Sequence, residues 1–133
     1  VKRRVKKAGP LRGTLGPPGD IDVLVVSRKK RTVFLVECKD LALARTPREM
    51  ANEFDALFRG GGKRKSTVEL HLARKRWAEG NLRALLGWIG VGWSKKWKVE
   101  ALLVLDHRPM TARLAASPIP VVSVAEIVEF VSN

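Results

Sequence analysis

The chain has 133 residues, with 26 Lys and Arg against 13 Asp and Glu, a net charge of +13. That length suits one domain with its own core, and the charge selects polyanionic partners without naming a reaction. No apolar run reaches the ~18 residues of a membrane-spanning helix, and one cysteine with two histidines leaves no internal disulfide and no ligand set for structural zinc.

Residues 1–7 alternate weakly and are expected to form a first strand with Val1 and Val5 inward. Residues 8–19 contain four glycines and three prolines and read as a loop. Its end, Gly16-Pro17-Pro18-Gly19, is either a plain turn or a rigid lip beside a site. Residues 21–26 and 33–38 are rich in β-branched side chains and read as two strands of a hairpin. Ser27-Arg28-Lys29-Lys30-Arg31-Thr32 joins them.

Thr46, Pro47 and Glu49 form a capping box with proline in the first turn, so a helix starts there. Met50, Phe54, Leu57 and Phe58 follow on one apolar face, and Gly60-Gly61-Gly62 ends it. Lys63, Arg64 and Lys65 sit on the loop after it. Ser66 and Glu69 start a second helix, expected to reach about Leu86 with Leu70, Ala73, Trp77, Leu82, Leu85 and Leu86 on its apolar side. Residues 87–97 mix Trp88, Trp93 and Trp97 with glycines and lysines. Such aromatics stack on unpaired bases or fill the core at a helix-to-strand turn, and the second reading is preferred. Residues 99–105 read as a buried strand, with Asp106 and His107 in its exit turn. Residues 119–122 form a last short strand, and Ser123 caps a closing helix over 124–131.

The unusual chemistry lies in the hairpin. Asp20 and Asp22 are two apart and share a face of a strand; so do Glu37 and Lys39, with Cys38 turned away. Hairpin pairing brings three carboxylates and one ammonium to the same end. Clustered carboxylates at the end of an apolar strand repel and resist desolvation, and a hard divalent cation removes the conflict. Mg²⁺ takes one or two carboxylates and completes its shell with water and phosphate oxygens. A neighbouring lysine holds the attacking water or offsets charge on phosphorus. The pattern suits metal-assisted phosphodiester hydrolysis. The plainer alternative is a cross-strand salt bridge, which needs two charges where this hairpin has four.

A strand carrying Gly-Asp-Ile-Asp, a turn, and an apolar strand ending Glu-Cys-Lys resembles the core of the PD-(D/E)xK phosphodiesterase superfamily, the restriction-endonuclease-like nucleases. The resemblance is close over residues 19–40 and rests on element order elsewhere. It implies an α/β fold: a restriction-endonuclease-like mixed β-sheet flanked by helices. It implies Asp22 and Glu37 as metal ligands, the backbone carbonyl of Cys38 as a further ligand, Lys39 as the catalytic lysine, and Asp20 as an additional carboxylate near the metal. Many members add a Glu from a helix before the first strand; nothing acidic precedes Asp20 here. Members also often turn a polar or basic residue of the following helix toward the site, and Lys75 and His71, four apart, are the candidates.

The expectation is therefore a single Mg²⁺- or Mn²⁺-dependent nuclease domain acting on DNA before RNA, in a reducing, cytoplasmic setting. Arg28, Lys29, Lys30, Arg31, Lys63, Arg64, Lys65 and Lys75 would contact the nucleic acid. Cutting two strands would call for two sites, most simply a homodimer. The alternative is a nucleic-acid-binding module that keeps the fold without cutting. The chain starts without Met inside a basic run, which reads as an excerpt of a longer protein.

Overall fold

The structure is a computed structural model that describes residues 2–5 (backbone only), 19–40, 44–106 and 116–132. The expected inward side chains of Val1 and Val5, the loop 8–18 and His107 lie outside the described residues.

Alternating apolar residues form the central hairpin. β1 (Lys2–Val5), β2 (Ile21–Ser27) and β3 (Thr32–Lys39) run as an antiparallel meander, β1 irregular in register between Arg3 and Val5. The β2–β3 turn places Arg31 at φ +49°, the left-handed region that a non-glycine residue enters at a cost. β4 (Lys98–Leu105) lies parallel to β3, with Thr32 opposite Lys98 and Lys39 opposite Leu105. β5 (Val121–Ser123) lies parallel to β4. The five strands form one mixed sheet in the order β1-β2-β3-β4-β5.

The long crossover from β3 to β4 is helical, as a parallel pair requires. α1 (Pro47–Phe54) starts with the full Thr46–Glu49 capping box. It widens into a single π-helical turn (Asp55–Arg59) closed by Gly60 N–H to the Asp55 carbonyl. Gly60 has φ +73° and ψ 176°, a conformation essentially reserved for glycine. α2 (Thr67–Gly80) is capped by Ser66, and α3 (Leu82–Ile89) follows. The expected single helix through Leu86 is thus two. Gly80 weakens the helix interior, and Asn81 turns its side-chain amide onto the Trp77 carbonyl at 2.8 Å, competing with the backbone ladder. The closing helix α4 (Ile127–Ser132) starts three residues later than expected, after a turn in which the Glu126 carboxylate accepts from Ser123 N–H.

Two apolar clusters fill the space between the helices and one sheet face. Leu24, Val33, Leu35, Ala78, Leu85 and Leu86 form most of the first; Leu57, Val68, Ala101, Leu103 and Leu105 form most of the second. Of the expected apolar face of α1, only Leu57 is buried, and it stands on the π turn. The expected apolar side of α2 is also rotated. Leu70 is exposed, and the buried stripe is Val68, His71, Arg74 and Ala78. Each fully buried aliphatic side chain contributes about 1.5–3 kcal/mol relative to exposure. The two clusters therefore outweigh the several kcal/mol per ion that a buried ion pair costs in desolvation.

Candidate active site

The face under α2 is the face that carries the acidic residues. Val23 pairs with Val36 and Leu24 with Leu35, so one step beyond this ladder Asp22 and Glu37 stand side by side on β2 and β3. Asp22 Oδ2 accepts from Cys38 N–H at 3.0 Å. The Asp22 carboxylate so replaces the backbone acceptor that β2 no longer offers there, and is held against the Glu37–Lys39 segment. Lys39 Nζ is 3.5 Å from Glu37 Oε1 and half-exposed.

Glu37 is only 6 % exposed, and its second oxygen meets α2. Arg74 Nη1 donates to Glu37 Oε2 at 2.7 Å, with both side chains buried. This is a short, charge-assisted bond. Gly19, at φ +88°, makes room for it: a Cβ there would come within 2.8 Å of Arg74 Nη2. The Gly19 end of the proline–glycine segment is therefore packed on the guanidinium. Three residues earlier, His71 Nε2 is 2.8 Å from the Leu35 carbonyl and fully buried. Burial pushes its pKa below the ordinary 6.5, with the Leu35 carbonyl pulling back and Arg74 adding to the depression. His71 links α2 to β3 through the Leu35 carbonyl.

The balance of charge at Glu37 is telling. Burial raises its pKa above 4.5; Arg74 lowers it; Asp22 raises it; Lys39 lowers it. The net direction is upward. Burial, with Asp22 beside it, therefore outweighs the two cations. Burial, then Asp22, then Glu37 raise the pKa of the Cys38 thiol, which keeps it protonated. The Cys38 side chain is exposed, as its alternation predicts.

Several sequence-predicted residues are found elsewhere. No group of three His, Cys, Asp or Glu side chains that could hold one ion forms among the described residues. The expected three-carboxylate convergence reduces to Asp22 and Glu37, with Asp20 half-buried just before β2. The residue that α2 turns onto the site is Arg74. Lys75 pairs instead with Glu79 at 3.8 Å. Glu37 itself pairs not across the hairpin but with Lys39 of its own strand and with Arg74 of α2. Lys63, Arg64 and Lys65 are exposed on a tight turn before α2. Val68, in the first turn of α2, shares an apolar cluster with Leu103 and Leu105, which pair with Glu37 and Lys39 at the carboxylate end of the sheet. Arg28, Lys29, Lys30 and Arg31 occupy the opposite end, next to Thr32 and Lys98.

Arg74 is the functional residue that sequence reasoning missed. The available signal was its spacing: Val68, His71, Arg74 and Ala78 follow a three-three-four pattern that marks one helix face. The donor set fits a hard cation in kind: two adjacent carboxylates suit an ion that takes one or two protein oxygens. Comparison with protein-family models, curated proteins and solved structures finds no match to the chain.

Proposed function

We propose that the chain is a divalent-metal-dependent nuclease domain of the restriction-endonuclease-like, PD-(D/E)xK class, hydrolysing phosphodiester bonds of DNA. The observation that carries this reading is the corner where Asp22 and Glu37 adjoin at the end of a buried hairpin with Lys39 beside them, in a chain of net charge +13. The antiparallel meander followed by a helical crossover to a parallel strand supports it.

Asp22 and Glu37 would hold Mg²⁺ or Mn²⁺, with the Cys38 carbonyl a further ligand; the ion would supply Lewis-acid stabilisation of the phosphate and a more acidic bound water. Lys39, as an ammonium, donates to the nucleophilic water or to a phosphate oxygen, orienting one and offsetting charge on the other. A water oxygen bonds to phosphorus, the P–O bond to the leaving sugar oxygen breaks, and that oxygen takes up a proton. Lys63, Arg64 and Lys65, exposed on the turn before α2, would add contacts to the nucleic-acid backbone. Cutting both strands would need two such corners, and a homodimer supplies them most simply.

One observation favours a second reading, a non-cleaving nucleic-acid-binding module: Arg74 already occupies Glu37 Oε2 at 2.7 Å. Calorimetric titration of the protein with Mn²⁺ separates the two. The nuclease reading expects binding that Asp22→Ala weakens about 10-fold or more, since even residues that only support ligands cost 10- to 100-fold. Absence of Mn²⁺ binding, with DNA binding indifferent to EDTA, would select the binding module.

A further inference from the structure

The end of the sheet remote from Asp22 and Glu37 carries the basic turn 28–31, expected from the sequence to contact nucleic acid, together with features the carboxylate corner does not use. The β2–β3 turn and the segment entering β4 meet there, joined by Lys98 N–H donating to the Arg31 carbonyl at 3.0 Å. Two basic segments far apart in sequence, 28–31 and 95–98, thus form one surface. Lys30 and Lys98 are partly engaged, Lys30 with the Phe130 carbonyl and the Phe34 ring, Lys98 with Glu100. Arg28, Lys29, Arg31, Lys95 and Lys96 are exposed and have no acidic partner among the described residues. The turn also keeps an arginine in the left-handed position at Arg31, where glycine or asparagine is less costly.

An exposed aromatic ring lies in the loop that leads into β4. Trp88 and Trp97 pack against the core, as a helix-to-strand turn predicts, but Trp93 is 43 % exposed. Arg83 of α3 lies over its ring at 5.1 Å, a cation–π contact that orients the indole without burying it. Trp93 is two residues from Lys95. An exposed indole beside uncompensated cations matches what unpaired nucleic acid requires: stacking for the base and charge for the backbone. A duplex hides its base faces and gains nothing from Trp93.

We propose that this pole of the sheet is a second binding surface, for single-stranded nucleic acid, separate from the carboxylate corner. Thr32 and Glu37 are five residues apart on β3, so the two poles are roughly 17 Å apart at ~3.3 Å per residue. A strand held here lies beside the reacting end without entering it. The surface stands whether or not the corner cleaves.

The test is fluorescence anisotropy of a labelled oligothymidylate of about 15 nucleotides, in EDTA, over a series of salt concentrations, against the matching duplex and against anionic phosphatidylserine vesicles. Trp93→Ala is expected to weaken oligothymidylate binding roughly 5- to 100-fold without changing the salt slope, and to leave duplex binding nearly unchanged. Lys95→Ala with Lys96→Ala is expected to reduce the salt slope by about 1.4, at ~0.7 per cation on a single strand. Because the assay runs in EDTA, metal-dependent cleavage is silent in it, which separates this surface from the nuclease reading. Wild-type affinity in Trp93→Ala, an equal loss on duplex, an unchanged slope in the lysine variant, or equal Trp93-dependent binding to vesicles would each overturn it.

Discussion

Arg74 and Glu37 show how a charged residue comes to be buried in a basic chain. Each alone would be too costly to desolvate; together, at 2.7 Å, they share that cost. Arg74→Met should therefore lower the unfolding free energy by about 3–5 kcal/mol at neutral pH, because it leaves Glu37 buried without its main counter-charge. The loss should shrink on acidification. The folded pKa of Glu37 already lies above 4.5, and without Arg74 it rises further. The folded variant then holds a proton that the unfolded chain lacks, so its stability recovers as pH falls through that folded value and is fully regained below 4.5. Urea unfolding of the single variant, and of Arg74→Met with Glu37→Gln, measures both effects; a loss of equal size at acid pH would contradict the account. At this scale Asp22, Glu37 and Lys39 were legible, since period-2 alternation fixes the face of each. Arg74 was not. It hides in Arg74-Lys75-Arg76, which reads as a solvated run, and only Glu37, 37 residues away, makes its burial tolerable.

The element that assembles the site is α2. Its cap at Ser66 was readable from sequence, as was the box at Thr46, because these signals are local. Its buried face was not, because two of the four buried positions are polar and find partners across on β3. The break at Asn81 was equally hidden, since Leu82, Leu85 and Leu86 continue a helical pattern past it. His71 is the contact that docks α2 to the sheet, and it gives the docking a pH dependence. Its folded pKa lies below 6.5, so the unfolded chain binds the extra proton. The stability it confers is complete above 6.5 and declines as pH falls below it. Glu37 acts with the opposite sign at lower pH, but it is common to wild type and variant. The difference in melting temperature between wild type and His71→Gln should therefore narrow as pH drops below 6.5; a difference independent of pH would show that the histidine does not stay neutral in the folded protein.

For the molecule as a whole, the sheet separates two kinds of chemistry. One end has two adjoining carboxylates, Lys39 and the Arg74 contact; the other has exposed cations without an acidic partner among the described residues, with Trp93 in the loop leading into β4. The mixed sheet and its helical crossover were legible, because a helix between two buried strands favours a parallel pair. The polarity was not, since 28–31, 63–65 and 95–98 look alike as basic runs until the register of β3 and β4 assigns the first and third to one end. None of the described helices is long and apolar enough to cross a membrane. The central claim is that the Asp22–Glu37–Lys39 corner cleaves phosphodiesters. The most direct measurement is conversion of supercoiled plasmid to nicked or linear forms with Mg²⁺ or Mn²⁺, against EDTA and against Lys39→Ala. The account predicts metal-dependent cleavage that falls at least about 100-fold in Lys39→Ala. Intact plasmid in every lane, with the DNA bound and released by salt, would contradict it.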